Sequence, residues 1–238
     1  MRRLLLGGGL TVLALFNAPA STAGFVIPSF RGTAGSEFAL WDNPDNFTVA
    51  YSASLAAAGN TVNGDGLADP LGNGSSDAVL CQLDPGAFLT GGGGAGNIYS
   101  FGTALQFNLT DANTAPVETV VFQTRTTGTE LDYTTVALSY DLGGGPQALT
   151  ATRVETDRTN TGSFGFAVSS LWTFNLSGRG VTDYTLTFNA AGSSTSFDSA
   201  ALDVHFAAVP EPAGYAALGG AALVVFAAFR RTRRGHLR

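Results

Sequence analysis

Apolar and polar residues alternate with a period of two through much of the chain. The alternation is clearest in segments 47–55, 105–109 and 184–188, and it is typical of strands that bury one face of a sheet. Other strands are predicted where β-branched and aromatic residues lie between clusters of Gly, Asn, Asp and Ser. These further segments are 117–125, 133–140, 148–155, 164–176 and 197–206.

The fold class follows from this pattern, because no segment between the strands has the periodicity of a helix that could connect parallel strands. We predict an all-β protein, an antiparallel β-sandwich of jelly-roll form with about eight or nine strands. Segments 56–76 and 91–96 are rich in Gly, Asn and Ser and are predicted to be surface loops. The domain is placed at residues 24–208, without an internal repeat or linker.

Charged residues are few and unevenly distributed. The chain has no lysine, and seven of its 12 arginines lie close to its two ends. Segment 24–208 holds the other five arginines and 17 of the 18 acids, which is a formal charge of −12. Because a surface this acidic repels a phosphate backbone, we expect no nucleic-acid partner.

Cys81 is the one cysteine of the chain. No intramolecular disulfide can therefore form. Its setting in "AVLCQLD" predicts a small, buried, apolar residue.

The beginning of the chain has the pattern of a secretory signal peptide. Arg2 and Arg3 precede an apolar stretch at 4–16, and small residues follow it. We predict a signal peptide over residues 1–23 with cleavage between Ala23 and Gly24, and a cut after Ala20 is the alternative. The secretion machinery is then a partner of the chain.

The end of the chain combines an apolar run with a basic cluster. Segment 213–229 has 17 residues without a charge, which is about 25 Å of helix and just enough to span a bilayer. Arginines follow the run at once, namely Arg230, Arg231, Arg233 and Arg234. Because basic residues stay on the cytoplasmic side, the tail predicts a transmembrane helix at 213–229 and a cytoplasmic basic tail at 230–238.

A stiff, extended motif precedes the apolar run. Pro210, Glu211 and Pro212 lie within segment 209–212, directly before the predicted helix, and two prolines prevent either a strand or the helix from continuing there. This order of motif, apolar span and terminal arginines resembles the PEP-CTERM sorting signal of Gram-negative bacteria, here over residues 209–238.

The resemblance implies a destination. It implies export across the inner membrane, anchoring by the C-terminal helix, and recognition of Pro210, Glu211 and Pro212 by an exosortase. It assigns cytoplasmic retention to the arginines at 230–234. The hosts of such proteins typically make exopolysaccharide and biofilm, so we expect a cell-surface or extracellular-matrix protein with a structural or interaction role.

The chain offers little that points to catalysis. Gly91, Gly93 and Gly96 match G-x-G-x-x-G, but the segment after them reads as a strand and not as the helix that a dinucleotide site needs. His205 is predicted to be exposed on the face that carries Asp203, and no Gly-x-Ser-x-Gly elbow accompanies it. We expect no enzyme; a hydrolase would need two carboxylates facing each other across a cleft.

Two weaker features suggest a binding module. Asn63, Asp65 and Asp69 place oxygen ligands in a flexible turn, as calcium prefers, although the same residues are ordinary turn formers. Trp41 lies near a turn, where it either packs in a satellite core or presents its ring to a sugar. The other tryptophan, Trp172, is predicted to belong to the core. A lectin-like module for exopolysaccharide, with calcium as a candidate cofactor, is therefore the alternative function.

Overall fold

The computed structural model describes residues 25–41, 60–63, 74–84, 87–90 and 97–208. These residues form two antiparallel sheets packed as an all-β sandwich, which confirms the predicted class. The strands are β1 (Ser36–Trp41), β2 (Asn60–Asn63), β3 (Val79–Gln82), β4 (Phe88–Leu89), β5 (Ile98–Ser100), β6 (Gln106–Ala112), β7 (Val117–Gly128), β8 (Leu131–Asp141), β9 (Pro146–Thr150), β10 (Arg153–Asn160), β11 (Phe166–Asn175), β12 (Asp183–Ala190) and β13 (Thr195–Phe206).

The first sheet is organised around β13. Its strand order is β10-β11-β7-β13-β5-β4. Strand β7 lies along one side of β13, while β5 pairs with the beginning of β13 on the other side and β1 pairs with its end. The second sheet has the order β2-β3-β6-β12-β8-β9.

Aromatic rings from both sheets fill the core between them. Phe107 and Phe188 of the second sheet stack with their ring centroids 4.8 Å apart, and Phe197 of the first sheet lies 4.5 Å from Phe107. Phe122 bridges Phe188 at 5.0 Å and Trp172 at 5.8 Å. All five side chains are buried, so the predicted core position of Trp172 is confirmed.

The single strand predicted over 148–155 is wrong. The chain forms β9 and β10 there, and these belong to different sheets because β9 pairs with β8 and β10 pairs with β11. Most side chains of both strands are exposed or only half-buried. Such edge strands lack the alternation by which a boundary between them could be recognised.

Three smaller predictions also need correction. Segment 56–76 was expected to be a loop, but β2 lies within it and pairs with β3. The strand predicted to begin at residue 164 begins at Phe166 as β11, because Gly162–Phe164 is a short 3-10 helix, and Phe164 is 74% exposed. Cys81 is partly exposed, and the burial it does have raises the pKa of its thiol.

Several predicted segments lie outside the described residues. These are the strand at 47–55, the loop at 91–96, the signal peptide at 1–23 and the tail at 209–238. Within the described ranges, no helix is long and apolar enough to cross a membrane.

Candidate functional site

The predicted sorting and calcium residues fall almost entirely outside the described part of the chain. This holds for Pro210, Glu211 and Pro212, for the four arginines at 230–234, for the cleavage position at Ala23 and Gly24, and for Asp65 and Asp69. Asn63 is the last residue of β2, where it pairs with Val79. Among the described residues, no three His, Cys, Asp or Glu side chains lie close enough together to hold a metal ion.

Trp41 cannot be the sugar contact. It is the last residue of β1, its exposed fraction is 0%, and it belongs to the main core. Strand β1 pairs with β13, so Trp41 lies opposite Ala200 with its ring between the sheets. The expectation that this ring is presented to a sugar is therefore corrected, and the satellite core that we considered is the main core itself.

The outer face of the first sheet is partly covered by the segment before β1. We call residues 25–35 the strap. The side-chain amide of Gln123 accepts a hydrogen bond from Val26 N–H and donates one to Val26 C=O, both at 2.8 Å. Phe25 packs with Leu40 and Ala201 in a small second core on this outer face. The strap therefore hides side chains on β7 and β13 that strand alternation alone would expose.

An ion pair fastens the strap to β13. The guanidinium of Arg31 donates two hydrogen bonds to the carboxylate of Asp203, with Nη2 2.7 Å from Oδ2. The Asp203 side chain is 0% exposed and that of Arg31 is 11% exposed. Arg31 also lies over the ring of Phe38, 4.8 Å from its centroid. Burial raises the pKa of Asp203, and the hydrogen bonds and charge of Arg31 act against that rise.

His205 is less exposed than predicted, because the strap covers it as well. Its ring packs on Phe30 with centroids 5.2 Å apart, and its Nδ1 lies 3.4 Å from a carboxylate oxygen of Glu118. The side chain remains 34% exposed. Within the described ranges, the side chain of His205 thus contacts the ring of Phe30 and the carboxylate of Glu118.

Beyond the strap, the outer face of the first sheet carries a polar network centred on Asp198. Asn97 and Thr127 each donate a hydrogen bond of 2.7 Å to the carboxylate, one to each oxygen. Ser196 donates to the same carboxylate at 3.1 Å. Burial raises the pKa of Asp198, and the donors act against that rise. The network ties β7 and β13 to Asn97, the residue directly before β5.

An open groove lies next to this network at one end of the first sheet. We call it the aromatic groove. Its volume is about 410 Å³, and Tyr99 of β5 and Phe164 of the 3-10 helix provide its two rings. The remaining lining residues are small and uncharged, namely Thr127, Gly128, Thr129, Ser163, Gly165, Ser194 and Ser196.

The strand register explains how Tyr99 and Phe164 come to line the same groove. Ser100 lies opposite Thr195, Thr195 opposite Gly128, and Gly128 opposite Phe166. One row across the sheet thus joins the end of β5 to the start of β11 over three strand spacings, or about 14 Å. Phe101 extends the β5 side of the row, because it packs edge-on against Tyr99 at 4.6 Å.

The backbone around the groove is held in conformations that few residues adopt. Gly128 has φ of 87°, and a Cβ there would lie 2.7 Å from the carbonyl oxygen of Ser194. Ser194 itself has φ of 65°, which is uncommon for a residue other than glycine. Ser194 N–H donates to Ser100 C=O at 2.8 Å, and Thr129 N–H donates to Ser194 C=O at 3.2 Å. These bonds fix the floor of the groove.

A second groove, which we call the acidic groove, lies at the opposite end of the sandwich. Its volume is about 520 Å³, and four carboxylates line it, those of Asp77, Asp111, Asp141 and Asp183. Asp111 is buried at its base and accepts a hydrogen bond of 2.6 Å from the Tyr184 hydroxyl. Burial raises the pKa of both groups, that of Tyr184 well above its ordinary value.

The aromatic groove escaped prediction because its parts are distant in sequence. Tyr99 and Phe164 come from elements far apart along the chain. Two local signals were present: alternation places Tyr99 on the face opposite Ile98 and Ser100, and segment 124–129 reads "TRTTGT". Neither signal reveals that the two segments meet.

Comparison with protein-family models and with curated proteins adds no relative. The chain matches no protein-family model. A search of curated proteins also gives no match. The resemblance of segment 209–238 to a sorting signal therefore stays a prediction from the residues.

Proposed function

We propose that the protein is exported across the inner membrane and acts, without catalysis, as a structural or interaction protein of the cell surface or extracellular matrix. In this proposal the signal peptide at 1–23 directs export, the helix at 213–229 anchors the chain, and an exosortase recognises Pro210, Glu211 and Pro212. The sandwich is the cargo that this tail delivers.

The observation that carries the proposal is that the last strand of the domain ends only a few residues before the motif. Strand β13 lies inside the first sheet and ends at Phe206, and Ala207 N–H still donates a hydrogen bond of 2.8 Å to Pro116 C=O. Pro210 follows Ala207 after only two residues. Cleavage at the motif would therefore remove no strand of the described sandwich, and processing is compatible with a folded product.

The proposal extends to the jelly-roll form of the sandwich. Two four-strand orders support it, β5-β13-β7-β11 in one sheet and β6-β12-β8-β9 in the other. Successive strands from β5 to β8 alternate between the two sheets, as in the paired Greek keys of a jelly roll. Such folds commonly serve in capsid and lectin domains, which fits a binding or structural role, although a fold alone does not define a function.

The experiment that tests the proposal compares three versions of the full chain in the producing cells. They are the wild type, Glu211→Ala in the motif, and Asp183→Ala as a control that removes an exposed acid from the domain. We expect the wild type and the control to leave the membrane fraction for the surface or medium, and Glu211→Ala to stay in the membrane. Release of all three versions alike would contradict recognition at the motif.

Carbohydrate binding is the second candidate function, and the aromatic groove favours it. The groove replaces Trp41 as its structural basis, since the ring of Trp41 is buried. The partner in this alternative is the exopolysaccharide of the producing cell. Calcium bound through Asn63, Asp65 and Asp69 remains a separate prediction, which calcium titration of the full chain followed by its thermal unfolding would test.

A further inference from the structure

We propose that the aromatic groove binds a neutral saccharide. The inference deepens the second candidate function and rests on it, because it assigns the site and the chemical class of ligand. Four features of the groove carry it: its two rings, its hydroxyl lining, the uncharged side chains of the described lining residues, and its fixed backbone.

The rings at this end of the sheet are unusually exposed. Phe164 and Phe101 are 74% and 72% exposed, more than any other large hydrophobic side chain in the described ranges. They lie on opposite sides of the same strand row, and Tyr99 packs against Phe101. Of these rings, Phe164 and the half-buried Tyr99 line the groove itself, and Phe101 lies beside Tyr99. Exposed apolar side chains at a groove favour a binding surface. A sugar ring carries C–H groups on its faces, and these pack on aromatic rings.

The remaining lining supplies the polar half of a saccharide site. Thr127, Thr129, Ser163, Ser194 and Ser196 contribute five hydroxyl groups. Each hydroxyl both donates and accepts hydrogen bonds, as sugar hydroxyls do. Thr127 donates its proton to Asp198, so its oxygen is oriented as an acceptor for a ligand hydroxyl. Ser196 also donates to Asp198, and its oxygen accepts a hydrogen bond of 2.9 Å from Asn97. Rings on the walls and hydroxyls on the floor are complementary to both parts of a sugar.

The charge of the lining decides between neutral and ionic ligands. None of the nine lining residues that the structure describes is charged. Asp198 lies beside the groove, where Asn97 and Ser196 donate to one carboxylate oxygen and Thr127 to the other. The guanidinium of Arg125 lies 4.0 Å from this carboxylate and faces its charge. An anionic or cationic ligand would therefore lose its hydration without gaining a counter-ion, which is costly. The aromatic groove differs in this respect from the acidic groove, whose four carboxylates repel anions such as uronic acids and phosphates.

Size and rigidity also suit a small ligand. A volume of about 410 Å³ falls within the range of about 300–1,000 Å³ that small-molecule sites occupy. The hydrogen bonds of Ser194 and Thr129 and the close approach at Gly128 hold the floor in place before binding. A ligand then has little protein motion to suppress, which favours affinity.

The test measures binding of oligosaccharides to the purified full chain in a detergent without a sugar head group. Titration calorimetry with maltohexaose, cellohexaose and laminarihexaose covers neutral glucans of three linkages, and oligogalacturonate is the charged comparison. Phe164→Ser removes one wall. Leu142→Ser is the matched control, because Leu142 is also an exposed apolar residue (55%) but lies in the turn between β8 and β9.

We expect at least one neutral oligosaccharide to bind, Phe164→Ser to weaken its binding about tenfold or more, and Leu142→Ser to leave it unchanged. Thr129→Val, which replaces a lining hydroxyl by a methyl group, should cause a smaller loss. Equal thermal unfolding of wild type and variants would exclude misfolding as the cause.

The inference is overturned if no neutral oligosaccharide binds, if oligogalacturonate alone binds, or if Phe164→Ser and Leu142→Ser bind alike. Each of these results concerns the purified chain only. Release from the membrane through Glu211 is measured in cells, so failure of the groove and failure of the sorting proposal are distinguishable.

Discussion

Replacing Arg31 by methionine is the perturbation that most sharply tests how the strap is held. Methionine keeps much of the apolar stem of Arg31 but removes the cation that faces Asp203. The carboxylate is 0% exposed, so in the variant it stays buried without a counter-charge. Removing one partner of a buried ion pair costs about 3–5 kcal/mol. This is a large part of the about 5–15 kcal/mol by which a domain is stable.

The assay is equilibrium unfolding in urea at several pH values. In Arg31→Met the pKa of Asp203 rises further, because burial now acts without an opposing cation. A carboxyl group whose folded pKa is raised is stabilising when protonated, and this stabilisation is lost as the pH rises through that pKa. We therefore expect the free-energy loss of Arg31→Met to be smaller at pH 5 than at pH 8.

Two controls separate this effect from the loss of any arginine. Arg158→Met removes a cation that bonds Glu130 and Glu155 at 2.8 Å, but its side chain is about a third exposed, so solvent screens those pairs. The double variant Arg31→Met/Asp203→Leu removes both charges and should be more stable than Arg31→Met alone. The reasoning is refuted if Arg31→Met costs less than about 1 kcal/mol, or if Arg158→Met costs as much as Arg31→Met.

Two further predictions concern the strap and the acidic groove. Gln123→Leu should weaken the attachment of the strap by about 1–3 kcal/mol, because two hydrogen bonds to Val26 are lost. Hydrogen exchange should then be faster at the Val26 amide, while protection at Phe122 stays unchanged. Equal exchange at Val26 in wild type and variant would disprove this prediction. Asp111→Asn should change the pH dependence of unfolding, because burial raises the pKa of Asp111. The contribution of this carboxyl group to stability should increase as the pH falls from 7 toward its ordinary pKa of about 3.9, and the variant should lack that contribution. Parallel pH profiles for wild type and variant would count against this.

The strands that could be predicted are those with one buried face. In β12 and in most of β13, apolar side chains alternate with polar ones and point into the core, so the sequence carries the register directly. Strands β9 and β10 could not be separated, because most of their side chains are exposed to some degree on both faces. Their assignment to different sheets depends on pairing with β8 and β11, which no local pattern records.

The site residues illustrate a second limit. Alternation placed Asp203 and His205 on the outer face of β13 correctly, but it could not show that the strap covers that face. Arg31 is 172 positions away from Asp203 in the chain. Likewise, the turn near Trp41 is visible in the sequence, whereas the burial of the Trp41 ring depends on the pairing of β1 with β13. Alternation and turn signals are local patterns, and they do not record which distant segments are in contact.

The measurement that tests the central proposal most directly is the intact mass of the wild-type protein recovered from the surface or medium of the producing cells. The account predicts a species that begins at Gly24, or at Ser21 for the alternative cut, and ends between Val209 and Pro212. A species that keeps residues 213–238 would show that the tail is not processed and would contradict sorting by an exosortase.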